Sequence, residues 1–407
     1  MAHGLQLALL LAAVLLAAKL AGALGRLIGV PASFGALVAG VLLGPSAVNL
    51  IHLQIFAENG PPDALLQGVG DLAGLGAIFV LFLAGMETDL RLLRRVALAV
   101  AGSGVGGVLV ALLSGTLAAR AFHLDWYPSL FIGTILSGTS VSVSAQTLLE
   151  LGRARSREGT AILGAAVVDD LAGVIVLTIM VAVAAREGGA WRNTGEVGLV
   201  IAKMLLFLVA AALLGGALLQ RLGRLAKAVT GQETLLATGL AVALIYAWAA
   251  DYLGGMAVVT GAYLAGLLFG RTSFREEVGT RLWVLNQALF APVFLVSIGL
   301  QVDLHALGGA GSFTAAIAAT AVLGKLLGAG LGARLGGMSW LEALRVGSGL
   351  VCRGEVALAV ARIGLSYRLI DQRVYTVMVA VTLATTLVTP LLLLVGFAVR
   401  PAAAPRT

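Results

Sequence analysis

Two adjacent carboxylates lie in the middle of a long apolar segment of this 407-residue chain. Asp169 and Asp170 fall within residues 161–182, a stretch long enough to cross a bilayer as a helix. An ionised side chain at the centre of a membrane helix costs roughly 2.5–3.5 kcal/mol on insertion scales, and such residues usually serve an ion or proton pathway. The pair therefore predicts a cation or proton site. Two buried acids that hold a helix bundle together by hydrogen bonds are the alternative.

A buried cation is predicted as the partner of one of these acids. Consecutive helical residues point about 100° apart, so the two carboxylates face different surroundings. Lys325 stands in the middle of a second apolar segment, 312–335, where an unpaired ammonium is unfavourable. Pairing Asp169 with Lys325 leaves Asp170 to alternate between a proton and a monovalent cation, which is the basis of antiport. We expect two protons per cation if Lys325 also releases its proton, and one if it does not.

Two stretches rich in glycine or hydroxyl residues predict breaks in membrane helices. They read LSGTSVSVS at 136–144 and GSGLVCRGE at 347–355. Unwound backbone is tolerated at membrane depth only where it is buried in protein or lines a wet cavity. In the first break, Thr139 and Ser140 would supply neutral oxygen ligands for a hard cation such as Na⁺.

The second predicted break also contains charge. Arg353 and Glu355 lie within it, where they could neutralise the ends of two half-helices. This structural role is favoured over direct ligation of the ion.

The composition identifies an integral membrane protein. Hydrophobic residues make up 59% of the chain and charged residues 12%, with a mean hydropathy of +1.01. Soluble domains contain about 45–50% apolar and about 25% charged residues. The single cysteine, Cys352, excludes an intramolecular disulfide. A net charge of +7 would suggest nucleic acid in a soluble chain, but here the basic residues lie mostly in loops, so we expect a lipid bilayer and no nucleic acid as partner.

Apolar runs bounded by charge, glycine or proline predict an all-α protein with about thirteen transmembrane helices. With the N-terminus outside, the inner segments hold seventeen lysines and arginines and the outer loops six. This bias follows the positive-inside rule and places the C-terminus in the cytoplasm. The predicted helices are 4–23, 31–48, 68–86, 92–119, 127–150, 158–185, 197–220, 232–250, 255–270, 282–300, 312–335, 341–363 and 372–397.

Internal similarity predicts two inverted repeats. FGALVAGVLLG at 34–44 matches TGAYLAGLLFG at 260–270, and GMETDL at 85–90 resembles GLQVDL at 299–304. Each match lies seven predicted helices apart, and an odd offset gives the two halves opposite orientations. Inverted repeats are typical of secondary transporters, which place broken helices and the substrate site near the middle of the membrane.

The ordered set of motifs resembles a known family. The Asp169–Asp170 pair, GTSVS at 138–142, Lys325 and RGEVAL at 353–358 together resemble the bacterial NapA-like sodium/proton antiporters of the cation–proton antiporter 2 family. Two early patterns, PASFGALVAGVLLGP and FLAGMETDL, add to this likeness, which runs from about residue 25 to 395.

The resemblance implies roles for the charged residues. Asp170 would be the main carrier of cation and proton, with Asp169 beside it as a further Na⁺ ligand and as the partner of Lys325. The Asp-Asp form is associated with electrogenic exchange. Na⁺ is the expected substrate, K⁺ and Li⁺ being alternatives, and no cofactor is expected.

The resemblance also implies an architecture with two crossed, broken helices, in the fold of the NhaA and NapA antiporters. A dimerisation part would comprise about 4–91 and 232–305, and a moving core about 92–185 and 312–397, joined by a linker helix at 197–220. The core would move like an elevator within a homodimer in the inner membrane of a bacterium.

Three other classes compete with this interpretation. An intramembrane aspartyl protease needs two aspartates that address one water, which adjacent residues of one helix do not do easily. An ion channel would need a continuous pore. An organic-anion symporter would carry a substrate that an acidic pair repels. An electroneutral antiporter of the same fold stays open beside the electrogenic one.

Overall fold

A computed structural model describes residues 2–57, 62–184, 194–230, 232–303 and 305–398, in which helices are joined by turns and short extended segments. These ranges contain no β-strand. The helices are α1 Ala2–Leu27, α2 Ala32–Leu43, α3 Gln54–Ala57, α4 Pro62–Glu87, α5 Leu90–Arg95, α6 Ala97–Ala121, α7 Trp126–Ser137, α8 Val141–Glu150, α9 Arg157–Ala184, α10 Thr194–Thr230, α11 Gln232–Tyr252, α12 Val258–Phe269, α13 Arg275–Leu285, α14 Ala291–Leu300, α15 Gly311–Leu335, α16 Trp340–Gly349, α17 Glu355–Ser366 and α18 Gln372–Ala398.

Many of these helices match the thickness of a membrane. Within the described ranges, nine spans are long and apolar enough to cross it, and four shorter apolar helices lie between them in the chain. The prediction of an all-α, multi-pass membrane protein is confirmed at this level.

Several predicted bounds were wrong for identifiable reasons. The segment 31–48 becomes a helix that ends at Leu43, because a proline at position 45 disfavours helical geometry in the residue before it. The segment 92–119 is two helices that meet at Val96. The segment 282–300 begins earlier, at Arg275, and contains a π-helical turn at Asn286–Phe290 that hydropathy does not reveal.

The helices pack in two groups. The first, named here the α6–α15 bundle, consists of α6, α7, α8, α9, α15, α16, α17 and α18. The second, the α4–α12 bundle, consists of α1, α2, α4, α11, α12, α13 and α14. Contacts within each bundle are more extensive than contacts between them, and α9 touches α12 at few positions.

Glycines join the two helices that give the first bundle its name. Along this glycine seam, Gly102 and Gly106 of α6 lie against Gly328 and Gly332 of α15 with backbone on backbone. A β-carbon added at Gly332 would overlap the Gly102 carbonyl group. Small residues allow such close approach between helices in lipid.

Both stretches that the sequence marks as breaks are interrupted in the structure. Residues 138–140 separate α7 from α8, and residues 350–354 separate α16 from α17. The two interruptions touch, because the backbone N–H of Ser140 donates to the Cys352 carbonyl at 3.0 Å. The Ser144 hydroxyl also donates to the Gly349 carbonyl, at 2.6 Å.

Candidate functional site

The face of α9 that carries Asp169 is closed by an ion pair. Lys325 of α15 donates from Nζ to Asp169 Oδ1, and the two side chains are 0% and 1% exposed. The lysine fits because Gly107 of α6 has no side chain: a β-carbon there would stand 3.3 Å from Nζ. Asp169 Oδ2 has no hydrogen-bond partner within the described residues. The structure thus brings together the acid and the lysine that the sequence pairs.

Asp170 points in another direction and is half-buried. Its Oδ2 accepts a hydrogen bond from the hydroxyl of Thr260, which is 4% exposed and lies in the first turn of α12. The bond joins the two bundles. Sequence reasoning used Thr260 only as the first residue of a repeat, although a hydroxyl that opens an apolar helix was a usable signal.

The break between α7 and α8 contains hydroxyl groups with spare capacity. Thr139 and Ser140 are buried, and the Thr139 hydroxyl has no hydrogen-bond partner within the described residues, so it bonds to neither aspartate. Ser142 is fully buried and its hydroxyl is equally unpartnered in that part of the chain. Buried polar atoms are normally satisfied. The hydroxyl oxygens of Thr139 and Ser142 are therefore available to a ligand in the break or in the first turn of α8.

The break between α16 and α17 is satisfied by Arg353. The guanidinium is fully buried and donates from Nη1 to the carbonyls of Val351 at 2.7 Å and Leu350 at 3.3 Å, and from Nη2 to Ala321 at 3.3 Å. It thereby supplies donors to the carbonyl groups of Leu350 and Val351, which follow the end of α16, and also ties the break to Ala321 of α15. Glu355 begins α17, and its side chain lies outside the described part of the structure.

The four charges form one electrostatic group. Lys325 interacts with Asp169, Asp170 and Arg353, and Arg353 interacts with Asp169 in turn. Two positive and two negative groups balance when all four are ionised. Arg353 differs from Lys325 because carbonyl groups, rather than a carboxylate, receive its hydrogen bonds.

Further polar contacts join the bundles along α8 and beyond its end. Gln146 donates from Nε2 to Gln287 Oε1 at 2.8 Å, and Asn286 donates from Nδ2 to Gln146 Oε1 at 3.4 Å. Glu87 at the end of α4 pairs with Arg155, which follows α8. Sequence reasoning did not identify Gln146, Gln287 or Asn286, because the contact depends on the π-helical turn.

The model of the transmembrane sodium/hydrogen exchanger family matches residues 12–394, which include every site residue described above. The chain belongs to that family. Relatives agree with this assignment. The Na⁺/H⁺–K⁺ antiporter GerN of Bacillus cereus is 34% identical over 93% of this chain and 93% of its own length. A Na⁺/H⁺ antiporter of Enterococcus hirae is 33% identical over 94% of this chain and 96% of its own.

The fold of this exchanger also resembles a solved structure. The sodium proton antiporter MjNhaP1 of Methanocaldococcus jannaschii superimposes with a TM-score of 0.70 at 16% identity, covering 97% of each chain. At that identity the likeness concerns the fold alone. The sequence-based prediction of a cation/proton antiporter is confirmed at the level of the exchanger family.

Proposed function

We propose that the protein exchanges Na⁺ for protons, and that both ions use Asp170 in turn. The observation that carries this proposal is the asymmetry of the acidic pair. Asp169 is closed off by Lys325, whereas Asp170 is half-buried and faces the boundary between the bundles. The names of the relatives GerN and the Enterococcus hirae antiporter support Na⁺ as the substrate.

Charge balance supports competition at Asp170. With Asp170 protonated, the group of four charges has a net charge of +1. Loss of the proton brings the net charge to zero, and one monovalent cation returns it to the +1 of the protonated state, so proton and cation substitute for each other. The carboxylate and the unpartnered hydroxyls of Thr139 and Ser142 are oxygen ligands, which suit a hard cation. Thr139 and Ser140 would complete the ligand set, with Asp169 close beside it. K⁺ is the second candidate cation, because the name of GerN includes it.

The packing supports an elevator-type mechanism. The α6–α15 bundle would carry Asp170 past a stationary α4–α12 bundle, in agreement with the limited contact between α9 and α12. These bundles resemble the predicted core (92–185 and 312–397) and the dimerisation part (4–91 and 232–305), with α10 as the linker. The proposal further includes thirteen membrane crossings arranged as two inverted repeats, a homodimer, and an outer N-terminus. It places the protein in a bacterial inner membrane and in the NapA-like subgroup.

Purified protein in liposomes tests the exchange directly. A pH-sensitive dye inside acid-loaded vesicles would report loss of the pH gradient after addition of Na⁺, Li⁺ or K⁺, with protein-free liposomes as the control. We expect Na⁺ to collapse the gradient. If no alkali cation does so, the proposed function is wrong.

The same vesicles test whether exchange is electrogenic. If two protons move per Na⁺, the rate responds to an imposed membrane potential, and Lys325 is included in the proton count. A rate that is indifferent to potential would indicate one-for-one exchange, with Lys325 as a structural partner of Asp169.

A further inference from the structure

Thr260 connects the proposed carrier group to the opposite bundle. Its hydroxyl donates to Asp170, while its own helix packs on α4 and α11. The bond therefore crosses the boundary at which the two bundles would slide. The contacts at Gln146 and Glu87 also cross this boundary, but the Thr260 bond ends on Asp170 itself.

The Thr260 hydroxyl is not used by its own helix. Threonines elsewhere, such as the buried Thr134 and the half-buried Thr178, donate to the carbonyl four residues earlier, at 3.0 and 2.7 Å. Thr260 is the third residue of α12, so the residue four positions earlier precedes the helix. Its side chain is therefore directed outward, to the acid.

The start of α12 adds a positive potential at the same place. Ala257, the residue before this helix, provides no side-chain cap for the N–H groups of the first turn. Twelve residues extend only about 18 Å, whereas the hydrocarbon core is about 30 Å thick. One end of α12 therefore lies inside the membrane, and a helix N-terminus favours a nearby negative charge.

These contacts favour one state of Asp170. A hydroxyl donates more strongly to an ionised carboxylate than to a protonated one. A cation bound to the carboxylate likewise competes for the oxygen that accepts the hydrogen bond. Thr260 thus binds most tightly when Asp170 is ionised and carries nothing.

We propose that Thr260 holds the empty, ionised α6–α15 bundle against the α4–α12 bundle and so prevents it from crossing unloaded. This inference rests on the proposed function. An antiporter that returns empty transports one ion without exchanging it for the other. A tether that releases only after proton or cation binding suppresses that slip, and Thr260 is then a positioning residue for coupling.

The test compares proton leak with exchange in liposomes. Acid-loaded vesicles contain thiocyanate as the permeant counter-ion and N-methylglucamine in place of every alkali cation. Without Na⁺, proton efflux through the protein requires the empty bundle to return. We expect Thr260→Val, which keeps the shape and removes the hydroxyl, to raise this leak about tenfold. That factor corresponds to about 1.4 kcal/mol, near the lower end for a hydrogen bond to a charged group.

Two control variants isolate the hydroxyl. Thr260→Ser keeps it and should leak like the wild type. Thr178→Val removes a hydroxyl that donates within α9, and it should leave both leak and exchange unchanged. When Na⁺ is supplied outside the acid-loaded vesicles, radioactive Na⁺ uptake counted against proton efflux should show more protons lost per Na⁺ taken up in Thr260→Val alone. Thr260→Ala replaces the valine variant if the latter does not reconstitute.

The outcomes separate this inference from the proposed function. If Thr260→Val shows the same proton leak and the same number of protons per Na⁺ as the wild type, the proposed role of Thr260 as a tether is wrong. If the folded variant loses exchange without leaking, Thr260 is a cation ligand instead, which also overturns the tether. If the wild type exchanges no cation for protons, the proposed function itself fails.

Discussion

The two faces of α9 present the same side chain in opposite settings. Asp169 is sealed against Lys325 in a bundle held together by glycine contacts, whereas Asp170 is half-buried and bonds across a boundary. Removing one partner of a buried ion pair strongly destabilises a protein, because the other charge stays buried and unpaired. A partly exposed carboxylate can still exchange its partner. The comparison therefore supports the proposal that Asp169 has a structural role and that Asp170 carries the ions.

The largest expected effect is the loss of transport in Asp170→Asn. The amide keeps the shape of the side chain and removes the charge that a cation needs, so exchange should fall to the level of protein-free liposomes. Unfolding with a denaturing detergent, followed by circular dichroism, should show a free energy of unfolding within about 1 kcal/mol of the wild type. Normal exchange by this variant would contradict the assignment of Asp170.

Asp169→Asn, in contrast to Asp170→Asn, should lower the stability of the protein. It leaves Lys325 buried without its anion, and breaking a buried pair costs about 3–5 kcal/mol in the free energy of unfolding. Adding Lys325→Met should recover most of the loss, because the double variant contains no unpaired charge at this place. The same detergent titration measures both. Equal stability of Asp169→Asn and the wild type would show that the pair holds little together.

Arg353→Lys should have an intermediate effect on stability. An ammonium cannot reach all the carbonyl groups that the planar guanidinium covers, so the ends of the broken helix lose partners. We expect a loss of about 1–3 kcal/mol. The affinity of the remaining folded protein for Na⁺ should stay close to that of the wild type. A large change in Na⁺ affinity would move Arg353 from structure to the ion site.

The smallest expected effect tests how tightly the sealed face is packed. Gly107→Ala places a β-carbon 3.3 Å from Lys325 Nζ and should destabilise the protein by about 1 kcal/mol. Gly173→Ala, on α9 itself, has no neighbour within 4 Å and should be neutral or slightly stabilising. If the two variants have the same free energy of unfolding, Lys325 has room to move and the packing around the Asp169–Lys325 pair is looser than we expect.

The surroundings of Asp169 were easier to predict from the sequence than those of Asp170. Charged residues at membrane depth are rare, so Lys325 had few possible partners and Asp169 was one of them. Gly138 and its hydroxyl neighbours similarly indicated a break in a helix. Thr260 could not be paired with Asp170 in the same way, because threonine is common in membrane helices and the contact joins segments 90 residues apart. The carbonyl partners of Arg353 likewise depend on backbone geometry that residue types do not encode.

The glycine seam between α6 and α15 also determines how the protein would tolerate random mutation. Any side chain at Gly102 or Gly332 would force the two backbones apart. A mutational scan scored once for abundance in the membrane and once for growth under salt stress would separate the two kinds of position. Seam glycines should fail in both scores, whereas Asp170 and Thr260 should fail only in the second. Positions that affect growth without affecting abundance would then mark, residue by residue, where substitutions can change ion selectivity without preventing folding.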